Sequence, residues 1–374
     1  MTTYWVLLSI LGLLSCNQPS DNLDSLAVTQ EITHAQGFDI IWVDGIKIVV
    51  LKSPWKGASQ EVRYALLPAG QSLPDHLTVD QVITTPVNRM VVTSTTHLPA
   101  LDLLDAHETL IGFPQTQYIT TPGFVDAVTK GTLLELGSAN GLNLELLLQS
   151  KPDLVMTYQS GGDFSQLDAL KASNIPTVLN ADFLEPTPLG RAEWIKFIGH
   201  LIGREQQADS VFQLITANYN QVKELTRKAH QQPTVFSGSM YGGTWYAPGG
   251  KSFVAHFVTD AGGHYTWSHE QVPGSLELSF EAVLENDQNT QYWIGLGGFR
   301  SLADIINADQ RYENFEAYNQ GQVYNYNKRV GQNGGYEYLE MGVARPDIVL
   351  KDLVKILHPQ LLPDYETYFF QKLP

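Results

Sequence analysis

Ser94, His97 and Asp102 are the residue types of a hydrolytic nucleophile, base and orienting acid, gathered in one short stretch. Groups so close in sequence rarely converge as a triad, and no G-x-S-x-G elbow presents a serine, so a hydrolase is the weak alternative from another class. Imidazoles offer a second chemistry, because His97, His264 and His269 could meet Zn, Mn or Fe directly. Such a receptor needs several ligands converging from separate strand ends, and no carboxylate completes this set. Gly295-Leu296-Gly297-Gly298 lacks the full dinucleotide fingerprint and a suitable acidic residue in a βαβ unit. What remains is recognition. Met240-Tyr241-Gly242-Gly243-Thr244-Trp245-Tyr246 joins flexible backbone to large rings able to face a flat ligand, and Trp267 sits in a comparable loop. Tyr118 and Tyr158 add two further rings, the second just after a buried strand. Arg300, beyond Gly295–Phe299, and Arg329, in Tyr326-Asn327-Lys328-Arg329, could meet the carboxylates of an anionic chelate.

Composition bounds what these residues can serve. A chain of 374 residues suggests two domains, each able to bury a core. Acids outnumber bases 39 to 23, for a net charge of −16, and no run of Lys and Arg is interleaved with aromatics, so nucleic acid is not an expected partner. The apolar run from Tyr4 to Leu14 is too short to span a bilayer but suits the core of a signal peptide. Leu13-Leu14-Ser15-Cys16 then places the only cysteine where a bacterial lipoprotein is cut and acylated. The mature protein is expected in the bacterial cell envelope, on the periplasmic side, held to a membrane by lipid on Cys16 and lacking any disulfide.

Alternating strands and helices must position the rings and cations. Phe38 to Val50 alternates around Asp44-Gly45, which predicts an N-terminal β-hairpin. Met90–Thr93, Leu110–Gly112 and Leu154–Met156 read as strands separated by helical stretches, and Thr234–Phe236, Phe253–Thr259, Phe280–Leu284 and Tyr292–Ile294 resume that rhythm. Between them Thr187-Pro188 offers a helix start, and apolar residues from Ala208 to Leu225 recur at helical spacing. The pattern from Glu205 to Ala229 predicts one helix of roughly 38 Å, long enough to bridge two lobes. The division is thus a signal peptide over 1–16, a polar tether over 17–31, an N-terminal lobe with its accessory hairpin over 32–186, a bridging helical segment over 187–230 and a C-terminal lobe over 231–374. The fold class is α/β: two Rossmann-like lobes joined by a single long helix. Each lobe sets one glutamate, Glu145 or Glu281, near a helix start, where favourable interaction with the helix dipole is the plain explanation.

The lipobox, the Thr93-Ser94-Thr95-Thr96-His97 loop, Gly141-Leu142-Asn143-Leu144-Glu145 leading to Pro152-Asp153-Leu154-Val155, the bridging helix and Tyr246-Ala247-Pro248-Gly249-Gly250-Lys251-Ser252 together resemble one family. It is that of the ABC-transporter substrate-binding proteins for iron–siderophore complexes and cobalamin, class III of the periplasmic binding proteins, and the likeness runs from about Asn88 to Leu357. The N-terminal hairpin falls outside it. The resemblance implies a monomeric receptor without catalysis or intrinsic cofactor, whose ligand, a ferric chelate, haem or cobalamin, sits between the lobes. It also implies that Glu145 and Glu281 meet arginines of the ABC permease subunits. Tyr158 matches a ligand-facing aromatic of cobalamin-binding relatives, and Tyr118, Trp245, Tyr246, Trp267, His97, Arg300 and Arg329 are the other expected cleft residues.

Overall fold

The structure is a computed structural model that describes residues 28–30, 32–138 and 141–374. Cys16, the apolar run before it and most of the expected tether lie outside the described residues. Asp44 and Gly45 both take left-handed backbone, with φ of 51° and 78°, as a two-residue hairpin turn requires. They join Phe38–Val43 to Ile46–Leu51. This hairpin is the centre of a five-stranded sheet that also holds Val28–Gln30, Val62–Pro68 and Gln81–Thr85. Both faces of the sheet are covered. On one, Phe38 meets Trp194 and Phe197 at ring-centroid distances of 4.7 and 6.0 Å; on the other, Ile41, Val43, Ile48 and Val50 pack with Leu77. Two carboxylates stitch down the preceding segment. Glu193 accepts from the backbone N–H of Thr33, His34 and Ala35, and Glu185 from those of Gln36 and Gly37.

Two mainly parallel sheets follow. The first has the order Thr177–Leu179, Leu154–Thr157, Met90–Val92, Leu110–Phe113, Leu134–Glu135. The second runs His264–Tyr265, Thr234–Phe236, Tyr292–Ile294, Val323–Asn325, with Gln371–Lys372 antiparallel at its edge. Parallel neighbours need crossover connections, which is why helices separate these strands in sequence. Asn143, Ser252 and Ser279 start three of those helices, each side chain accepting the backbone N–H three residues on. In each sheet the order reverses at a central pair: Met90–Val92 beside Leu154–Thr157, and Thr234–Phe236 beside Tyr292–Ile294. Connections diverge from such a pair and leave a crevice at the strands' carboxyl ends. The two α/β lobes expected from the strand–helix rhythm are therefore present, one on each side of residues 187–230.

The bridging segment 187–230 holds the expected long helix from Glu205 and a second, shorter helix before it. Gly203, at φ 72°, ends Pro188–Ile202, and Glu205–Leu225 begins afresh, stopping short of Ala229. Thr187 Oγ1 accepts from Gly190 N at 3.1 Å, as its cap position requires. The shorter helix, buried at every position but Arg191, packs against Gln81–Thr85 and Leu98–Leu103 as well as against Phe253–Asp260, Glu337–Ala344 and Pro346–Leu357. Elements of both lobes therefore rest on it, while Glu205–Leu225 lies against it and Pro346–Leu357. A further antiparallel sheet, Ser239–Tyr241, Thr244–Pro248 and Ser275–Leu278, stands where a flexible aromatic loop was expected. Gly242 and Gly243, at φ 59° and 85°, make its tight turn. Among the described residues no helix is long and apolar enough to cross a membrane.

Candidate ligand-binding cleft

A cavity of about 820 Å³ opens at the order reversal of the first sheet, walled by Thr93, Ser94 and Thr95 after one central strand and by Tyr158, Gln159 and Ser160 after the other. Thr93 donates to Thr157 Oγ1 at 2.8 Å, tying the two strand ends together. Tyr158 is 42% exposed and rests edge-on against Phe183. Tyr118 lines the same cavity from the loop after Leu110–Phe113. That loop is held by Glu135, whose carboxylate accepts from Gln115 N, Thr116 N, Thr116 Oγ1 and Gly137 N. Burial alone would raise the pKa of Glu135, but these donors outweigh it and hold the carboxyl below its ordinary value.

The second sheet's reversal carries a cavity of about 350 Å³. Its walls include Tyr241, Tyr246, Phe253, Tyr326, Tyr338 and Leu339. Tyr326 and Tyr338 stack with centroids 4.6 Å apart and planes 18° from parallel. Burial raises the pKa of both phenols, so they remain neutral donors and acceptors.

One contact between the lobes separates these cavities. Glu340, on Glu337–Ala344, accepts from Thr120 N at 3.1 Å, Thr121 N at 2.8 Å and Thr121 Oγ1 at 2.7 Å. Glu340 thereby satisfies the two N–H groups that lead into Pro122–Thr129 and engages the Thr121 hydroxyl, which makes no helix cap of its own. Burial raises the Glu340 pKa despite these donors. Asn333 Nδ2 donates to Gln117 O at 3.2 Å, and a Cβ on Gly335 would lie only 2.2 Å from Tyr118 O. Tyr118 thus adjoins the contact from the first cavity, and Tyr338 and Leu339 adjoin it from the second. The two cavities open beside the same seam.

Of the residues expected in the cleft, Tyr118, Tyr158 and Tyr246 line a cavity. Five do not. Trp245 is fully buried, its Nε1 donating to Ser237 O at 3.1 Å and its ring set against Phe236, Trp293 and Phe315. The alternation of Thr244–Pro248 explains this: a strand that turns Tyr246 outward turns Trp245 inward. Trp267 is buried too, donating to the buried carboxylate of Asp287 at 2.7 Å. His97 closes the turn Thr95–His97, which packs against Glu337–Ala344, and its ring is 1% exposed with neither nitrogen hydrogen-bonded. Desolvation pushes its pKa down to about 4, against an opposing pull from Asp182. Arg300 is exposed, and its backbone N–H joins the cap of Leu302–Ala308 through Asp304. The Arg329 guanidinium lies over the Tyr368 ring at 3.9 Å, with Glu337 at 3.7 Å. Neither arginine lines either of these two cavities.

The hydrolytic set is not assembled: Ser94 Oγ pairs with Thr96 Oγ1, Asp102 with His107 Nε2, and the His97 nitrogens with nothing. Among the described residues no three His, Cys, Asp or Glu are grouped to share a metal. Tyr326 and Tyr338 escaped the sequence reading. Tyr326 carries a signal that could have found it, since it directly follows a strand of the second sheet. Glu145 and Glu281 stand in the first turns of Leu144–Ser150 and Phe280–Asp287 and are both exposed. Glu281 is engaged by Arg311 at 3.2 Å, and Arg311 is held in turn by Asp309 at 2.8 Å and by stacking over Phe280. Glu145 has a long hydrogen bond from Gln149 at 3.4 Å.

A family model described as periplasmic binding protein matches residues 90–330. Two uncharacterized lipoproteins of Methanocaldococcus jannaschii are similar in sequence. One is 24% identical over 301 residues, covering 78% of this chain and 70% of its own length; the other is 23% identical over 325 residues, covering 82% and 79%. A possible iron-binding periplasmic solute-binding protein of Staphylococcus epidermidis shares the fold with a TM-score of 0.55 at 20% identity, over 73% of this chain and 100% of that one. A periplasmic haem-binding protein of Roseiflexus does so with a TM-score of 0.55 at 17% identity, over 74% and 99%.

Proposed function

The chain belongs to the periplasmic binding protein family, and from that premise we propose that it is the receptor of an ABC importer, capturing a metal chelate between its lobes and presenting it to the permease. One observation carries this reading: two cavities, each at the order reversal of its own sheet, open beside a single seam between the lobes. Their sizes fall within or near the usual range of small-molecule sites, roughly 300–1,000 Å³. Iron and haem in the descriptions of proteins with the same fold favour a metal chelate.

Tyr158 and Tyr118 would face the ligand from one lobe and Tyr246 from the other. Glu145 and Glu281 would meet arginines of the permease, giving orientation and encounter rate more than affinity, since exposed ion pairs are individually weak. A lipid on Cys16 would keep the receptor near its transporter. No step of bond making is assigned. The test is a titration of the protein beginning after Cys16, followed by intrinsic fluorescence and calorimetry, with cyanocobalamin, haem, a ferric trihydroxamate and a ferric tris-catecholate. Saturable binding of one of them, recovered chemically unchanged, is expected. Turnover of the bound molecule, or binding of none, would overturn the receptor reading.

A further inference from the structure

We infer, on the reading of this cleft as a chelate site, that its ligand carries no net negative charge: a neutral hydroxamate-type or amide-decorated chelate, and not an anionic catecholate or carboxylate complex. The inference rests on which charges the cavity walls contain. Among the described residues no Lys, Arg or His lines either cavity, and the one charged wall residue is Asp163, an acid, in the larger cavity. Residues 1–27, 31, 139 and 140 contain no Lys, Arg or His either.

An anion entering such a space would lose its hydration and find no countercharge, which is costly even where hydroxyls offer hydrogen bonds. The overall charge of −16 adds a long-range field that disfavours the approach of anions. The chemistry that is present suits a neutral ligand. Thr93, Ser94, Thr95, Gln115 and Ser160 offer hydroxyls and an amide that can both donate and accept. The second cavity offers the rings of Tyr246, Tyr326 and Tyr338 to an apolar surface. Carbonyl and amide groups on one side of a chelate and apolar bulk on the other would match this division.

Arg191 stacks on Phe253, a wall residue of the second cavity, but its guanidinium is committed to other partners. Nε donates to Glu185 O at 3.0 Å, Nη2 to Phe183 O at 2.9 Å, and the group stacks on Phe253 at 3.7 Å, with Asp182 as a local countercharge. It is absent from both walls.

The experiment compares charge classes on the intact protein: a neutral ferric trihydroxamate and cyanocobalamin against a ferric tris-catecholate and haem, at low and high salt. One neutral chelate should bind about a hundredfold more tightly than either anion, with an affinity that salt barely alters. S160R, at an exposed wall position, should raise affinity for the tris-catecholate about tenfold or more. Tightest binding of an anionic chelate by the wild type, weakened by salt, would overturn the inference while leaving the receptor reading intact. An unresponsive S160R would show that the ligand sits elsewhere and overturn it as well. Binding of no chelate of any charge would remove the receptor reading and this inference together.

Discussion

The two sides of the cleft occupy equivalent places in their sheets and have opposite chemistry. Each lies where the strand order reverses, yet the first sets threonine, serine and glutamine around Tyr118 and Tyr158, whereas tyrosine, phenylalanine and aliphatic residues dominate the second. Topology decides where a ligand can sit; the residues just past the strand ends decide what it can be. The difference extends behind the walls. Behind Tyr246, on the inward face of its strand, Trp245 joins a stacked cluster with Phe236, Trp293 and Phe315. The polar side rests on carboxylate and hydroxyl networks around Glu135 and Thr93.

The largest expected effect probes the inward and outward faces of Thr244–Pro248. Trp245→Ala should cost roughly 3–5 kcal/mol, because it empties a fully buried position, whereas Tyr246→Ala, at a position 41% exposed, should change stability by less than about 1 kcal/mol. Urea unfolding of both variants checks this. Equal losses would mean that the two faces of the strand are not distinguished.

His97 gives the next effect, on the polar side. Its folded-state pKa of about 4 lies below the ordinary 6.5, so the unfolded chain takes up its proton first. Stability is therefore fully present above the ordinary value and falls as pH drops through the window between the two, by up to about 3 kcal/mol. His200, also near 4, mainly through burial, acts in the same window. The diagnostic is thus the difference in Tm between wild type and His97→Phe across that range. A variant with an unchanged slope would show that His97 does not stay neutral in the fold.

Glu340→Ala comes third. It leaves the Thr120 and Thr121 N–H groups without their acceptor across the seam, at about 1–3 kcal/mol. Urea unfolding measures this loss, and small-angle scattering should show the lobes moving apart. Wild-type stability and dimensions would mean that the seam is held by other contacts.

The smallest effect separates the two exposed glutamates. Glu145→Ala should weaken stimulation of the permease ATPase more than Glu281→Ala, since Arg311 already engages Glu281, with each contribution within about 1 kcal/mol. Identical losses would mean that Arg311 yields its partner without cost.

Much of the scaffold was legible because its signals are local. Asp44-Gly45 specified a turn by backbone conformation, Thr187 a helix start by its hydroxyl, and Leu154–Met156 a buried strand by its unbroken apolar run. Val62–Pro68 was missed because a sheet covered on both faces loses the alternation that marks a strand: its central Tyr64–Leu67 is buried throughout. The sequence assigns the bridge to the helix expected over Glu205 to Ala229 for a related reason. That helix shows a clean helical period, while Pro188–Ile202, buried almost all round, has no polar face to reveal it. In the cleft, residue type alone could not separate Trp245 from Tyr246, or a histidine facing a ligand from one packed under Glu337–Ala344. Those distinctions depend on strand register and on packing between distant segments.

The most direct test of a ligand shared by both lobes is a calorimetric titration of the chelate that binds wild type, repeated with Tyr158→Ala from the polar side and Tyr246→Ala from the aromatic side. Each single variant should lose about tenfold or more in affinity with its fold intact. Loss from one side with full affinity from the other would place the ligand in a single lobe and contradict the cleft.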